Sequence, residues 1–106
     1  KIGIDVEKFN PKILRVIDKF TYENERGFIP KDKADTFYTI IWSVKESMYK
    51  IHHSKYWSLK KNYEVKPFEL KHLHKISCRV YDEQFSDEFK ARVEFFDDYC
   101  FTIVEE

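Results

Sequence analysis

The stretch 34-ADTFYTIIWSVKESMYKI-51 decides how the rest of the chain is read. Ala34, Phe37, Ile41, Val44, Met48 and Ile51 recur at spacings of three and four, which puts all six on one stripe of an α-helix. The run Thr36 to Trp42 is rich in β-formers, but strand propensity yields readily to context and the periodic matches outweigh it. Lys31 or Asp32, just after Pro30, opens the helix, and His52-His53-Ser54 interrupts it. The spacing predicts a helix over about 32–51.

Working outward, Asn10-Pro11 is a good helix start, since Asn caps free amides and Pro suits a first turn. Ile13, Leu14, Ile17 and Phe20 follow at helical spacing and predict a helix over about 11–21, with a loop over 22–30. Segment 1–9 reads equally as a short strand or a lead-in. On the other side, Tyr56, Leu59 and Tyr63 predict a third, basic helix over about 54–63, opened at Ser54.

From Pro67 the period changes to two. Phe68, Leu70, His72, His74, Ile76, Cys78 and Val80 share one face, which predicts a half-buried strand over about 67–81. Residues 82–88 form an acidic turn, and further strands follow over about 89–96 and 99–104, joined at Asp97-Asp98. A rival helix over 86–98 would be capped by Ser86 and carry Phe89, Val93, Phe96 and Cys100 on one face. The expected fold is α+β: three N-terminal helices packed on a C-terminal antiparallel three-stranded meander. All 106 residues fit one domain, long enough for a core without metal or disulfide support.

Charge is laid out unevenly along a chain whose total is zero. Residues 45–79 hold nine Lys and Arg against three Glu, a net +6, and residues 80–106 hold nine Asp and Glu against two bases, a net −7. Such a dipolar chain can steer a charged partner.

Composition excludes several classes. With only Gly3 and Gly27 as glycines, no glycine-rich phosphate cradle exists. No apolar run reaches the length of a membrane helix, so no membrane partner is expected. Cys78 and Cys100 lack CxxC spacing and sit in apolar alternation, which reads as reduced, buried thiols of a cytoplasmic protein. No signal peptide is visible, although a start at Lys1 is compatible with a processed or trimmed terminus.

No catalytic residue or cofactor emerges. Neither cysteine has a base beside it, and no serine lies in a glycine-flanked turn. The expectation is therefore a small non-enzymatic inhibitor or adaptor, of the kind carried by phages or mobile elements. It would dock on a protein partner, such as a nucleic-acid-binding host protein, as a monomer or homodimer. Asp82, Glu83, Asp87, Glu88, Asp97 and Asp98 would imitate a row of phosphates, with Trp57 as an exposed anchor. The alternative is a nucleic-acid-binding module using Lys55, Lys60, Lys61, Lys66 and Lys71, whose charges suit phosphates and whose neighbouring rings suit bases. A third reading is a metal-dependent nuclease. His72 and His74 would share one ion, with a third ligand from His52, His53 or Cys78, although the adjacent rings of His52 and His53 are expected to point apart. His53, Asn62 and His72 follow in the order of a histidine-metal nuclease motif, but on a helix followed by a strand where that motif takes a hairpin followed by a helix.

Overall fold

The computed structural model describes residues 1–53 and 58–106. Among the described residues there are five strands and a single α-helix: β1 Ile2–Lys8, α1 Ala34–Ile51, β2 Tyr63–Val65, β3 Ile76–Tyr81, β4 Ser86–Phe96 and β5 Tyr99–Glu105. All strand pairs are antiparallel, in the order β1-β5-β4-β3-β2. Helix α1 lies across β1 and β5 on one face of this sheet. Phe37, Ile40, Ile41, Val44 and Met48 from the helix meet Val65, Ile76, Val80, Ala91, Val93 and Val104 from the strands to form the core.

The expected helices on a three-stranded meander are therefore corrected. Residues 11–19 form 3-10 turns, Pro11–Arg15 and Ile17–Lys19, closed by bonds such as Val16 N–H to Ile13 O at 3.1 Å and Lys19 N–H to Val16 O at 2.9 Å. Spacing cannot separate the two forms here, because Leu14, Ile17 and Phe20 at intervals of three suit a helix with three residues per turn. The third predicted helix also fails among the described residues: 58–62 is turn, and Tyr63 already belongs to β2. Its first residues, Ser54, Lys55, Tyr56 and Trp57, lie outside the described set.

The predicted strand 67–81 is cut to Ile76–Tyr81 for a local reason. Lys66 N–H donates to Ser77 O at 2.9 Å, and Pro67, the next residue, has no N–H to continue a ladder. Phe68 instead turns onto the helix, stacking on Phe37 with ring centroids 5.1 Å apart. Residues 86–96 are strand and not the rival helix. The turn into β5 places Asp97 at φ 54°, a left-handed conformation that Asp tolerates.

Strand β1 is the element the sequence left open. Its apolar residues Ile2, Ile4 and Val6 face away from α1 and are exposed, whereas Gly3, Asp5 and Glu7 face the helix. Gly3 is required by this contact. A Cβ there would run into the Ser47 carbonyl oxygen and stand 2.8 Å from Ile51 Cγ2. Gly3→Ala is expected to push β1 off the helix and to cost about 1–3 kcal/mol, the usual range for overpacking a tight contact. Urea unfolding of the variant beside the parent chain measures this, and an unchanged midpoint would contradict the close approach.

Candidate active site

Because strand residues alternate and helix residues recur every four, Asp5 and Glu7 share one face of β1 while Trp42, Glu46 and Lys50 share one face of α1. The Gly3 contact sets these two faces against each other. Asp5 is buried at 7% exposure, in register with Thr102 of β5, whose hydroxyl receives a 2.8 Å hydrogen bond from Ser43 of the helix. Lys50 crosses from the helix, its Nζ donating to Ile4 O at 2.8 Å and to Asp5 Oδ1 at 3.0 Å.

The second oxygen of Asp5 is the telling atom. Oδ2 is buried and has no hydrogen-bond partner among the described residues. Glu7 is held up to about 7 by burial first, then by the Asp5 carboxyl close enough to share a proton with it; Trp42 pulls the other way and Glu46 adds to the rise. Glu46 is also raised, by burial and then by the charge of Asp5, against the pull of Lys50. Three carboxyl groups thus crowd together in a partly desolvated place, with Lys50 facing two of them, Asp5 and Glu46. Such a cluster repels itself unless it holds protons or a cation.

All the donors that converge here are carboxylate oxygens, one of them buried and unpartnered. Such a set suits a hard divalent cation such as Mg²⁺ or Mn²⁺, which takes oxygen ligands. The thiols offer nothing comparable. Cys78 and Cys100 are free and buried, and burial pushes them up to about 12 and about 11. At neutral pH neither is a nucleophile.

The residues singled out from the sequence do not assemble as expected. Asp82 and Glu83 sit in the turn before β4, where Asp82 Oδ1 accepts from Gln84 N–H at 2.7 Å. Asp97 and Asp98 lie at the other end of that long strand, with Asp98 O accepting from Phe9 N–H at 2.8 Å. Asp87 is bonded to His52 at 2.7 Å, and Glu88 accepts from the Ser86 hydroxyl at 2.7 Å. No single row of acids forms from these six.

The basic block is dispersed too. Lys45 is fully buried against Glu25, Lys66 pairs with Glu64 at 3.3 Å, Lys60 lies over the Tyr22 ring, and Lys61 sits in a turn. Lys71 lies in the loop before β3 with His72 and His74, so these two histidines share no strand face. His74 pairs with Glu94 at 2.9 Å. His52 and His53, far from pointing apart, stack with centroids 4.5 Å apart. Lys55 and Trp57 lie outside the described residues.

Sequence reasoning missed the cluster on β1 and α1 entirely. The signals were Asp5 and Glu7 two apart in an alternating run, and Trp42, Glu46 and Lys50 at strict four-residue steps. Glu46 was counted only as a dilution of the basic block.

Among known families, a model described as the 4′-phosphopantetheinyl transferase superfamily matches residues 1–104. No curated protein matches. The family match overturns the non-enzymatic inhibitor or adaptor of phage type, because it points to a transferase. The lack of a glycine loop and of a reactive cysteine does not exclude a transferase. A reaction run by carboxylates, a lysine and a cation needs neither.

Proposed function

The chain belongs to the 4′-phosphopantetheinyl transferase superfamily, and we propose that it transfers that group from a diphosphate-linked donor, of which coenzyme A is the common example, to an acceptor hydroxyl. The carrying observation is the convergence of Asp5, Glu7 and Glu46 beside Lys50, with Asp5 Oδ2 left without a partner. In this reaction the acceptor oxygen forms a bond to phosphorus and the phosphoanhydride P–O bond breaks. The leaving phosphate takes the electron pair, and the hydroxyl proton passes to a base.

Asp5, Glu7 and Glu46 would hold the cation. A divalent ion held by these residues would supply positive charge to neutralise the diphosphate and the charge that builds on the leaving oxygen. Lys50, half-exposed and anchored on Ile4 O and Asp5, is placed to meet a phosphate oxygen at the rim of the cluster. Glu7, titrating near 7, can hold or release a proton at neutral pH, which suits a group that must exchange it for a cation or accept one from a hydroxyl. The buried, reduced pair Cys78 and Cys100 supports a cytoplasmic setting. No helix among the described residues is long and apolar enough to cross a membrane.

The test is transfer itself. Coenzyme A carrying a fluorophore on its thiol is incubated with the protein, Mg²⁺ and a lysate of acceptor proteins. Covalent label that depends on both protein and Mg²⁺ is expected; absence of labelling under all divalent ions would overturn the reading.

A further inference from the structure

A second group of ligating side chains lies beyond the end of α1, built from residues the transfer reaction does not use. His52 ends the helix, with its N–H bonded to Met48 O at 2.9 Å, and its imidazole is buried at 3% exposure. Phe85 lies nearly parallel to that ring, centroids 5.6 Å apart and planes 8° off, while Phe89 meets it edge-on at 6.3 Å. The ring is thus fixed in orientation, with Nε2 held 2.7 Å from Asp87 Oδ2 of β4. His53 stacks on its other side, and ligand atoms of His52, His53 and Asp87 all lie within 4.8 Å of one another.

From this geometry we propose that His52, His53 and Asp87 bind a transition-metal dication of the Zn²⁺ class, clipping the end of α1 to the start of β4. Two imidazoles and one carboxylate are the donor set of a three-ligand zinc site, with the fourth position left to water. Nitrogen donors favour Zn²⁺ over Mg²⁺, so this site and the all-carboxylate cluster select different ions. Ligands on a tetrahedral zinc stand about 3.3 Å apart when the bonds are about 2.0–2.1 Å. The His52–Asp87 contact, 2.7 Å, therefore opens by about 0.6 Å, and the other pairs of ligand atoms, all within 4.8 Å, close by at most about 1.5 Å. Exposed His53 has room to tilt out of the stack. The negative end of the α1 dipole favours positive charge here, and the open cavity of about 410 Å³ carries the carboxylates of Glu88 and Glu106 beside Asp87 against one cation, Lys1.

The inference stands apart from the transferase reading, since Glu46 lies roughly 9 Å back along the helix axis from the capping His52, six residues at about 1.5 Å each. The experiment titrates Zn²⁺ into the protein in excess Mg²⁺ by calorimetry, with Co²⁺ absorption as a spectroscopic reporter of nitrogen coordination. One equivalent of Zn²⁺ is expected. His53→Ala and Asp87→Asn should each weaken it by roughly tenfold or more, whereas Glu46→Gln should leave it unchanged. His53 is exposed, so its substitution leaves the fold intact, which the melting curve without metal verifies. No Zn²⁺ uptake, uptake undiminished in both variants, or uptake lost only in Glu46→Gln would each overturn the proposal.

Discussion

Asp5→Asn is expected to lower kcat/KM for pantetheinyl transfer by about 10²–10³-fold, the scale on which removing a preorganised charge-stabilising group acts, while leaving the folded state as stable or more so. Both halves come from the same contact. Asp5 is the buried carboxylate whose Oδ2 has no partner, and its charge raises both Glu7 and Glu46. An amide of the same shape keeps an oxygen for Lys50 and presents an N–H₂ to Glu7. It relieves repulsion and at once removes an anionic ligand. Activity should recover in part at high Mg²⁺, because the loss acts through cation affinity. Steady-state transfer kinetics over a Mg²⁺ series, with thermal melting alongside, separates this from simple unfolding. A variant that melts early and loses activity in proportion would contradict the assignment.

Glu25→Ala is expected to destabilise the protein by about 3–5 kcal/mol, the range for stripping one partner from a buried ion pair. Lys45 projects from the middle of α1 into the interior at 0% exposure. Its three ammonium protons go to Phe20 O at 2.6 Å, Glu25 Oε1 at 2.7 Å and Leu59 O at 2.9 Å. Burial pulls the Lys45 ammonium down and the charge of Glu25 holds it up. Glu25 also accepts from Val65 N–H of β2 at 2.8 Å and Tyr22 N–H at 3.1 Å. Truncation strands one buried cation and two backbone donors. Against a typical stability of about 5–15 kcal/mol, this consumes a large share. The melting midpoint should fall by roughly 12–40 °C, at about 4–8 °C per kcal/mol for a domain near this size. The double change Lys45→Met with Glu25→Gln removes both charges yet keeps an acceptor for β2, and should cost less than Glu25→Ala alone. A loss under about 1 kcal/mol for Glu25→Ala, the ceiling for exposed pairs, would show that the pair is solvated.

What the sequence revealed and what it hid follow from how each signal arises. The stripe from Ala34 to Ile51 was legible because that helix buries one face against a sheet, and six apolar positions record it. The turns at 11–19 were not, because i, i+3 spacing is common to both helix types. Strand β1 inverts the usual rule: its apolar residues are exposed and its small and acidic ones face the helix, so alternation gave no inward face to trust. That inversion also concealed the candidate site, whose acids come from residues 5, 7 and 46 and meet only through the packing of β1 on α1.

The charge layout misled for a topological reason. An antiparallel ladder lays the basic β3 beside the acidic β4, putting Arg79 opposite Glu88, and β2 adds Glu64, which accepts from Arg79 Nε at 2.6 Å. Charges segregated along the chain become neighbours in the sheet.

The most direct test of the carboxylate cluster is the affinity for Mn²⁺ measured across neutral pH. Glu7 keeps its proton up to about 7, above the usual 4.5, so below that value a cation must displace the proton before it binds. Affinity is predicted to rise with pH, approaching about tenfold per pH unit below 7, and to level off above it. In Glu7→Gln it should be weaker and flatter. Mn²⁺ binding that is absent, or that ignores pH across this range in the parent chain, would contradict the account.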